Sequence, residues 1–252
     1  MSTEPLVLSQ RLPGASLGAA SRSRSGSAPL DLTTSGAGLL ICSGHYSAHV
    51  INGTDEKEVR RYQALRYESF VVRKGWVTAD PNHPGCEMDR YDPYCHHLGV
   101  FLGSHLSAYL RALPWQPHLG FMLEHEFRDL LPETAASGLS QEGVVEISRL
   151  VIAPLPDGGR GASTEVAELL FKLLYRLGKN LGWTAYYIVL EEAWLRILNR
   201  RFKLPFVPLG APHTYPDGTR TLAAYARCDD LEQSMWETAP AKCRWYQQDI
   251  TP

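Results

Sequence analysis

The sequence predicts an α/β domain built on a mixed sheet. Three observations lead there. Strand-like segments open the chain as hairpins around short turns, not as a regular βαβ series, which disfavours a doubly wound dinucleotide fold. One long amphipathic helix, Ser163 to Leu181, separates two apolar strands at 144–153 and 184–190. The 252 residues are 44% hydrophobic with six Trp, enough for one sizeable core.

The elements follow in order. Residues 1–37 are Ser/Gly/Ala/Pro-rich without an aromatic residue, and read as a flexible N-terminal arm. Glu4 and Arg11 interrupt any secretory signal; the Arg/Ser bias also suits a transit peptide, but a solvated linker is preferred. Leu39 to Cys42 and Ser47 to Ile51 read as strands. Asp55 to Arg73 has helical spacing, with Val59, Tyr62, Leu65 and Phe70 on one stripe and Thr54 as N-cap. Thr78 to Pro93 is a Pro/Gly-rich loop. His97 to Phe101 and His105 to Leu113 pair around Gly103-Ser104. A helix is expected over Phe121 to Leu131 and another over Glu191 to Phe202. Phe206 to Leu209 and Thr221 to Arg227 close the sheet around Pro216-Asp217-Gly218. The domain is expected to span 38–228, with 229–252 a C-terminal tail in which Leu231 to Glu237 adds a last helical turn.

The formal net charge of -2 gives no support to a nucleic-acid role. No apolar run is long enough for a membrane helix. Five scattered cysteines suit a reducing compartment, so a cytoplasmic location is expected. Cys86, Cys95, His96 and His97 cluster, with His83 nearby, but match no zinc pattern, and no metal site is expected.

Three features can carry chemistry. Glu87-Met88-Asp89-Arg90-Tyr91-Asp92 puts three carboxylates into six residues, with Arg66 and Arg111 as potential counter-charges. It reads either as a solvated acidic loop or as a pocket for a cation. On a loop, Asp89 is expected to contribute charge more than packing. Glu146-Ile147-Ser148-Arg149 lies inside an apolar strand. Alternation puts Glu146 and Ser148 on one face, and Ile147 and Arg149 on the other. Charges buried there are costly unless paired, so a structural ion pair and a general base with its anchor are both open. Asp157-Gly158-Gly159-Arg160-Gly161 leads into a helix and could bind an anion, though it lacks the P-loop ending.

Taken together, these residues resemble the acyl-homoserine-lactone (autoinducer) synthase family. The pattern includes Arg66, Phe70 and Trp76, then the Glu87 to Asp92 acidic motif. Arg111 before Leu113-Pro114 follows, then Met122-Leu123 with Phe127, and Glu146-x-Ser148-Arg149. The resemblance implies a GCN5-type (GNAT-like) N-acyltransferase fold: a three-layer α-β-α arrangement whose mixed central sheet is splayed to admit an acyl carrier. It implies an acyltransferase that joins an acyl group, from acyl carrier protein or acyl-coenzyme A, to S-adenosylmethionine as cosubstrate. Lactone closure would release methylthioadenosine, a quorum-sensing signal synthesis needing no tightly bound cofactor. On this resemblance Glu146, Arg149, Asp89, Asp92 and Arg111 are catalytic. Arg66, Phe70, Trp76, Glu87, Phe127 and Ser148 bind substrate; for Phe127, core packing is an equal reading. The Gly158 to Gly161 turn would be a relic of a pyrophosphate loop. The acyl pocket is expected along Phe121 to Leu131 and Thr184 to Leu198.

A long-chain N-acyl amino acid synthase and a non-catalytic acyl-carrier-binding module are the alternatives. An acidic carrier needs a basic docking surface. Arg196, Arg200, Arg201 and Lys203 are the favoured one; Lys172, Arg176 and Lys179 form a second stripe that reads equally well as a solvated helix face.

Overall fold

The computed structural model describes residues 39–132, 141–155 and 160–248. The expected arm at 1–37 and most of the Gly-rich turn (157–159) lie outside the described residues. Strands β1 (Leu40–Ser43), β2 (Tyr46–Ile51), β3 (His96–Leu102) and β4 (His105–Pro114) form an antiparallel run. Strand β5 (Val144–Ile152) continues it. Next come β6 (Ala185–Glu191) and β9 (Arg220–Arg227), with short β7 (Val207–Pro208) and β8 (His213–Thr214) both on β9.

The pairing that shapes the site is β5 with β6. It is parallel, and it lasts only from Val144 opposite Ala185 to Ile147 opposite Ile188. Beyond Ile147, β5 stays with β4 and β6 stays with β9, so the sheet opens there. This is the splay expected of an acyltransferase-like sheet.

Helices cover both faces. Helix α3 (Arg160–Leu181) lies against β1 to β5. Its Val166, Leu169, Leu170, Leu173 and Leu177 meet Leu98, Leu110, Val145, Ile147 and Leu150 in the main core. Helix α1 (Glu56–Arg66) packs on β4 and β5. Its N-cap is Asp55, one residue after the expected Thr54. The Asp55 carboxylate accepts from the N–H groups of Lys57 and Glu58 and so satisfies two otherwise orphaned donors. A π-helical turn, Tyr67–Arg73, extends α1.

Two expectations need correction. The helix expected over Phe121 to Leu131 is one turn, α2 (Met122–His125), then a short 3-10 turn at Arg128–Leu130. The residues read as a C-terminal tail form α5 (Cys228–Thr238) and α6 (Pro240–Gln247). Leu231, Met235, Cys243 and Tyr246 of these helices are buried in the main core. They follow α4 (Glu192–Ile197) and its π-helical extension Leu198–Phe202.

Candidate active site

A β-bulge decides which side chains meet. On β4, Tyr109 pairs with Val151 and Arg111 with Ser148, so Arg149 and Leu150 together face Leu110. Arg149 takes the left-handed conformation with φ 56°. Strict alternation would send Ser148 and Arg149 to opposite faces. The extra residue instead brings both to the face of Glu146, while Val145, Ile147 and Leu150 keep the α3 side.

On that face three arginines and three carboxylates close a cage. Arg66 Nε donates to Glu87, and its Nη1 donates to Asp92 Oδ1 at 2.6 Å. Arg111 Nη1 donates at 2.6 Å to both Asp89 Oδ1 and Asp92 Oδ1. Arg149 reaches Glu87 Oε1 through Nη2 at 3.0 Å, and Asp89 Oδ2 at 3.1 Å. Arg111 Nε donates to Ser148 Oγ at 3.0 Å. Arg66, Arg111 and Arg149 are at most 1% exposed, so these charges have left water and depend on one another. Burial alone would raise the Glu87 carboxyl, but Arg149 and Arg66 bring it down to about 2. Against the same penalty, Arg66 and Arg111 hold Asp92 well below the usual carboxylate range. Asp89, expected to contribute charge rather than packing, is therefore a structural partner of two buried arginines. Its Oδ1 also accepts from the Tyr91 N–H at 2.9 Å, which fixes the loop.

Aromatic rings wall the cage. Tyr62, Tyr109 and His97 stack beside Arg66, and Phe70 lies under Arg149 with 5.6 Å from guanidinium carbon to ring centre. Trp76 is tilted on Phe70, with the Lys74 ammonium 5.0 Å from its ring centre. The Asp92 carbonyl can only accept, so His97 Nε2 carries the proton and Nδ1 accepts from the Tyr109 hydroxyl at 2.7 Å. Burial pushes His97 down to about 4, which keeps it neutral. Sequence reading weighed His97 only as a metal ligand. Its pairing with Tyr109 is strand register, with His97 opposite Arg111 and Tyr109 opposite Gly99. Among the described residues no His/Cys/Asp/Glu cluster could hold a metal ion.

Glu146 stands apart from the cage. It is fully buried, and its carboxyl accepts from the N–H groups of Met122 (2.7 Å) and Leu123 (3.2 Å) at the start of α2. Burial pushes it up to about 8, outweighing those two donors and Arg111. It sits on the paired stretch of β5, just before the sheet opens. Phe127 packs with Tyr91, Leu113, Met122 and Leu123 and is a core residue.

On the opposite face an apolar cavity of about 60 Å³ lies where β5 and β6 part. It is lined by Ile147 and Leu150 of β5, Phe171 and Gly178 of α3, Tyr186 and Ile188 of β6, and Met235 and Tyr246 of the C-terminal helices. The pocket expected along Phe121 to Leu131 is not here, because that segment fills the other face with the second core cluster.

An acetyltransferase (GNAT) domain family matches residues 65–164, which hold the cage, α2 and β5. The acyl-homoserine-lactone synthase of Aliivibrio fischeri is 27% identical over 158 residues, covering 61% of this chain and 77% of that protein. The chain is similar to that synthase and carries the GNAT acetyltransferase match. Both similarities are to N-acyltransferases. Solved structures agree in fold. The coenzyme A-dependent synthase MesI superposes with a TM-score of 0.60 at 21% identity, over 81% of this chain and 97% of that one. The synthase LasI gives 0.62 at 16% identity, over 77% and 96%.

The two basic segments behave differently from each other. Lys172 is fully buried, 4.4 Å from the Trp245 ring centre, and cannot meet a carrier. Arg176 donates to the Gln247 carbonyl at 2.6 Å, and Lys179 pairs with Glu232 at 2.9 Å. That stripe holds α5 and α6 to α3. The second cluster is open: Arg196, Arg200 and Arg201 are exposed and Lys203 is half-buried. Arg196 pairs with Glu192 at 3.5 Å and Arg201 bonds Thr164. No described helix is long and apolar enough to cross a membrane.

Proposed function

We propose that this chain joins an acyl thioester to S-adenosylmethionine and closes the product to an N-acyl-homoserine lactone, releasing methylthioadenosine. The observation that carries the reading is Glu146. A sealed carboxyl at about 8 stands where the sheet opens, with the arginine–carboxylate cage on its own face and an apolar cavity on the other. The acyl chain enters the cavity and the amine lies on the cage side, so the thioester carbonyl sits in the gap. Backbone N–H groups of β5 past Ile147, which β6 does not pair, hold the developing oxyanion. Glu146 takes the ammonium proton, directly or through a water; a carboxylate near 8 is a far better base than one near 4.5. The amine then attacks the thioester carbonyl and expels the carrier or coenzyme A thiol, which leaves with a proton, and the methionyl carboxylate displaces methylthioadenosine to close the ring.

Asp89, the most exposed carboxylate of the cage at 19%, faces the cationic cosubstrate, and Phe70 and Trp76 wall its site. Asp92, Glu87 and Ser148 hold Arg66, Arg111 and Arg149 in place. The Arg196 to Lys203 cluster docks an acidic carrier protein. The cavity lining is apolar throughout its strand and core positions, which suits an acyl chain. The reading is supported by the name of the Aliivibrio fischeri relative, and by the solved synthase BjaI, described with S-adenosylmethionine and isopentyl-coenzyme A. Incubation of the purified protein with S-adenosylmethionine, a mixture of free amino acids and acyl thioesters, on carrier protein and on coenzyme A, tests it by mass spectrometry. Lactone and methylthioadenosine are expected. A linear acyl amino acid without lactone would overturn the reading.

A further inference from the structure

Tyr246 of α6 lines the apolar cavity, and the chemistry described above has no use for its hydroxyl. The residue is 1% exposed, and the hydroxyl is sealed from solvent with no hydrogen-bond partner among the described residues. Buried tyrosines ordinarily satisfy this group, because leaving it unpaired costs stability. Lys179, Tyr175 and Tyr186, also in the lining, are engaged: Lys179 with Glu232 at 2.9 Å, Tyr175 with Gln247 and Tyr186 with Cys228. Tyr175 and Trp245 meet the Tyr246 ring edge-on, at 5.8 and 5.2 Å between centres, so the ring is held in place.

The position of α6 says which part of a ligand would meet that hydroxyl. Helix α3 covers the sheet from β1 to β5 and α5 rests on β9, while α6 packs on α3 and α5. Tyr246 therefore reaches the cavity from the side away from the sheet. The gap past Ile147, where β5 leaves β6, lies on the other side. A chain that enters from the gap presents its far end to Tyr246. Burial raises the phenol far above its ordinary value, so it stays protonated and can donate.

We propose that Tyr246 is a specificity-determining residue that donates a hydrogen bond to an oxygen on the distal part of the acyl chain, a hydroxyl or a keto group far from the thioester. The identity of the ligand as an acyl thioester rests on the function proposed above. A pocket that offers a hydrogen bond discriminates against a chain that lacks the matching oxygen, since that chain leaves the hydroxyl unpaired.

Acyl-pantetheine analogues with methylene in place of the thioester sulfur cannot transfer their acyl group, so calorimetry on the full chain reads recognition apart from reaction. Unsubstituted analogues first find the preferred length. At that length, a hydroxyl or keto group on one of the last two carbons should tighten binding roughly tenfold, and a keto group at the third carbon should not. Tyr246→Phe should abolish the distal preference. Without ligand, Tyr246→Phe should not lower Tm, because its hydroxyl has no partner to lose; a clear fall would mean that the hydroxyl is bonded within the protein, and overturns the proposal. So does a wild-type protein that binds none of the analogues, shows no distal preference, or keeps that preference in Tyr246→Phe. A Tyr246-dependent preference at the third carbon overturns the distal placement. A distal preference lost in Tyr246→Phe, in a protein that makes no lactone from any thioester, leaves the site standing and sinks the proposed function instead.

Discussion

Asp92→Asn is the sharpest test of the cage. One oxygen of Asp92 accepts from both Arg66 and Arg111 at 2.6 Å, and the other accepts from the Asp89 N–H at 2.9 Å. Asparagine can keep the last of these but not the charge. The cage then holds three buried guanidinium groups against two carboxylates. Leaving a buried charge uncompensated costs about 3–5 kcal/mol. That is a large share of a typical stability of roughly 5–15 kcal/mol. At about 2–4 °C per kcal/mol for a domain of this size, Tm should fall by roughly 6–20 °C. Urea unfolding at 25 °C should give the same loss with an unchanged m-value. Arg66→Met alone should also destabilise, because it leaves Glu87 and Asp92 short of a partner. The double variant restores neutrality and should be less damaged than the sum of the singles by about 2 kcal/mol. A single-variant loss below about 1 kcal/mol, or simple additivity, would show that the six groups do not act as one closed unit.

Three further outcomes follow. His96 and His97 are pushed by burial to about 4, so the unfolded chain takes up protons that the folded chain refuses as pH falls below about 6.5. Glu146, pushed up to about 8, has the opposite sign: its contribution is lost as pH rises from about 4.5 to 8. The urea midpoint should therefore peak near pH 6–7, and Glu146→Gln should flatten the alkaline decline; a curve flat from pH 4.5 to 8 would contradict both burials. Met235→Ala enlarges the cavity at α5 and should shift product toward longer acyl chains while costing about 2–5 kcal/mol of stability; an unchanged product profile would place the acyl group elsewhere. Arg200→Glu should raise KM for acyl carrier protein but not for S-adenosylmethionine, with the difference fading at high salt, and no change would argue for a coenzyme A donor or another docking face.

Hairpin turns and local periodicity fixed most strands in advance, because their partners are neighbours in sequence. Glu146 was legible for a different reason: a carboxyl inside the run Val144 to Ile152 has to be paired or functional. A helical turn at Leu231 to Glu237 was legible, but the docking of both C-terminal helices was not, since Leu231, Met235, Cys243 and Tyr246 are spread over two short segments split by Pro240, too sparse for a periodic signal. Nor was the closure of the cage, whose partners Arg66 and Asp92 are 26 residues apart on different elements. The least legible feature is the bulge. Nothing in Ser148-Arg149-Leu150 marks a left-handed residue, a conformation that costs an L side chain roughly 1–2 kcal/mol. The ion pairs of Arg149 with Glu87 and Asp89 offset that strain, and they exist only because the bulge turns Arg149 toward the acidic loop. The backbone distortion and the charge cage therefore require each other, and no pattern that treats positions one at a time can display that dependence.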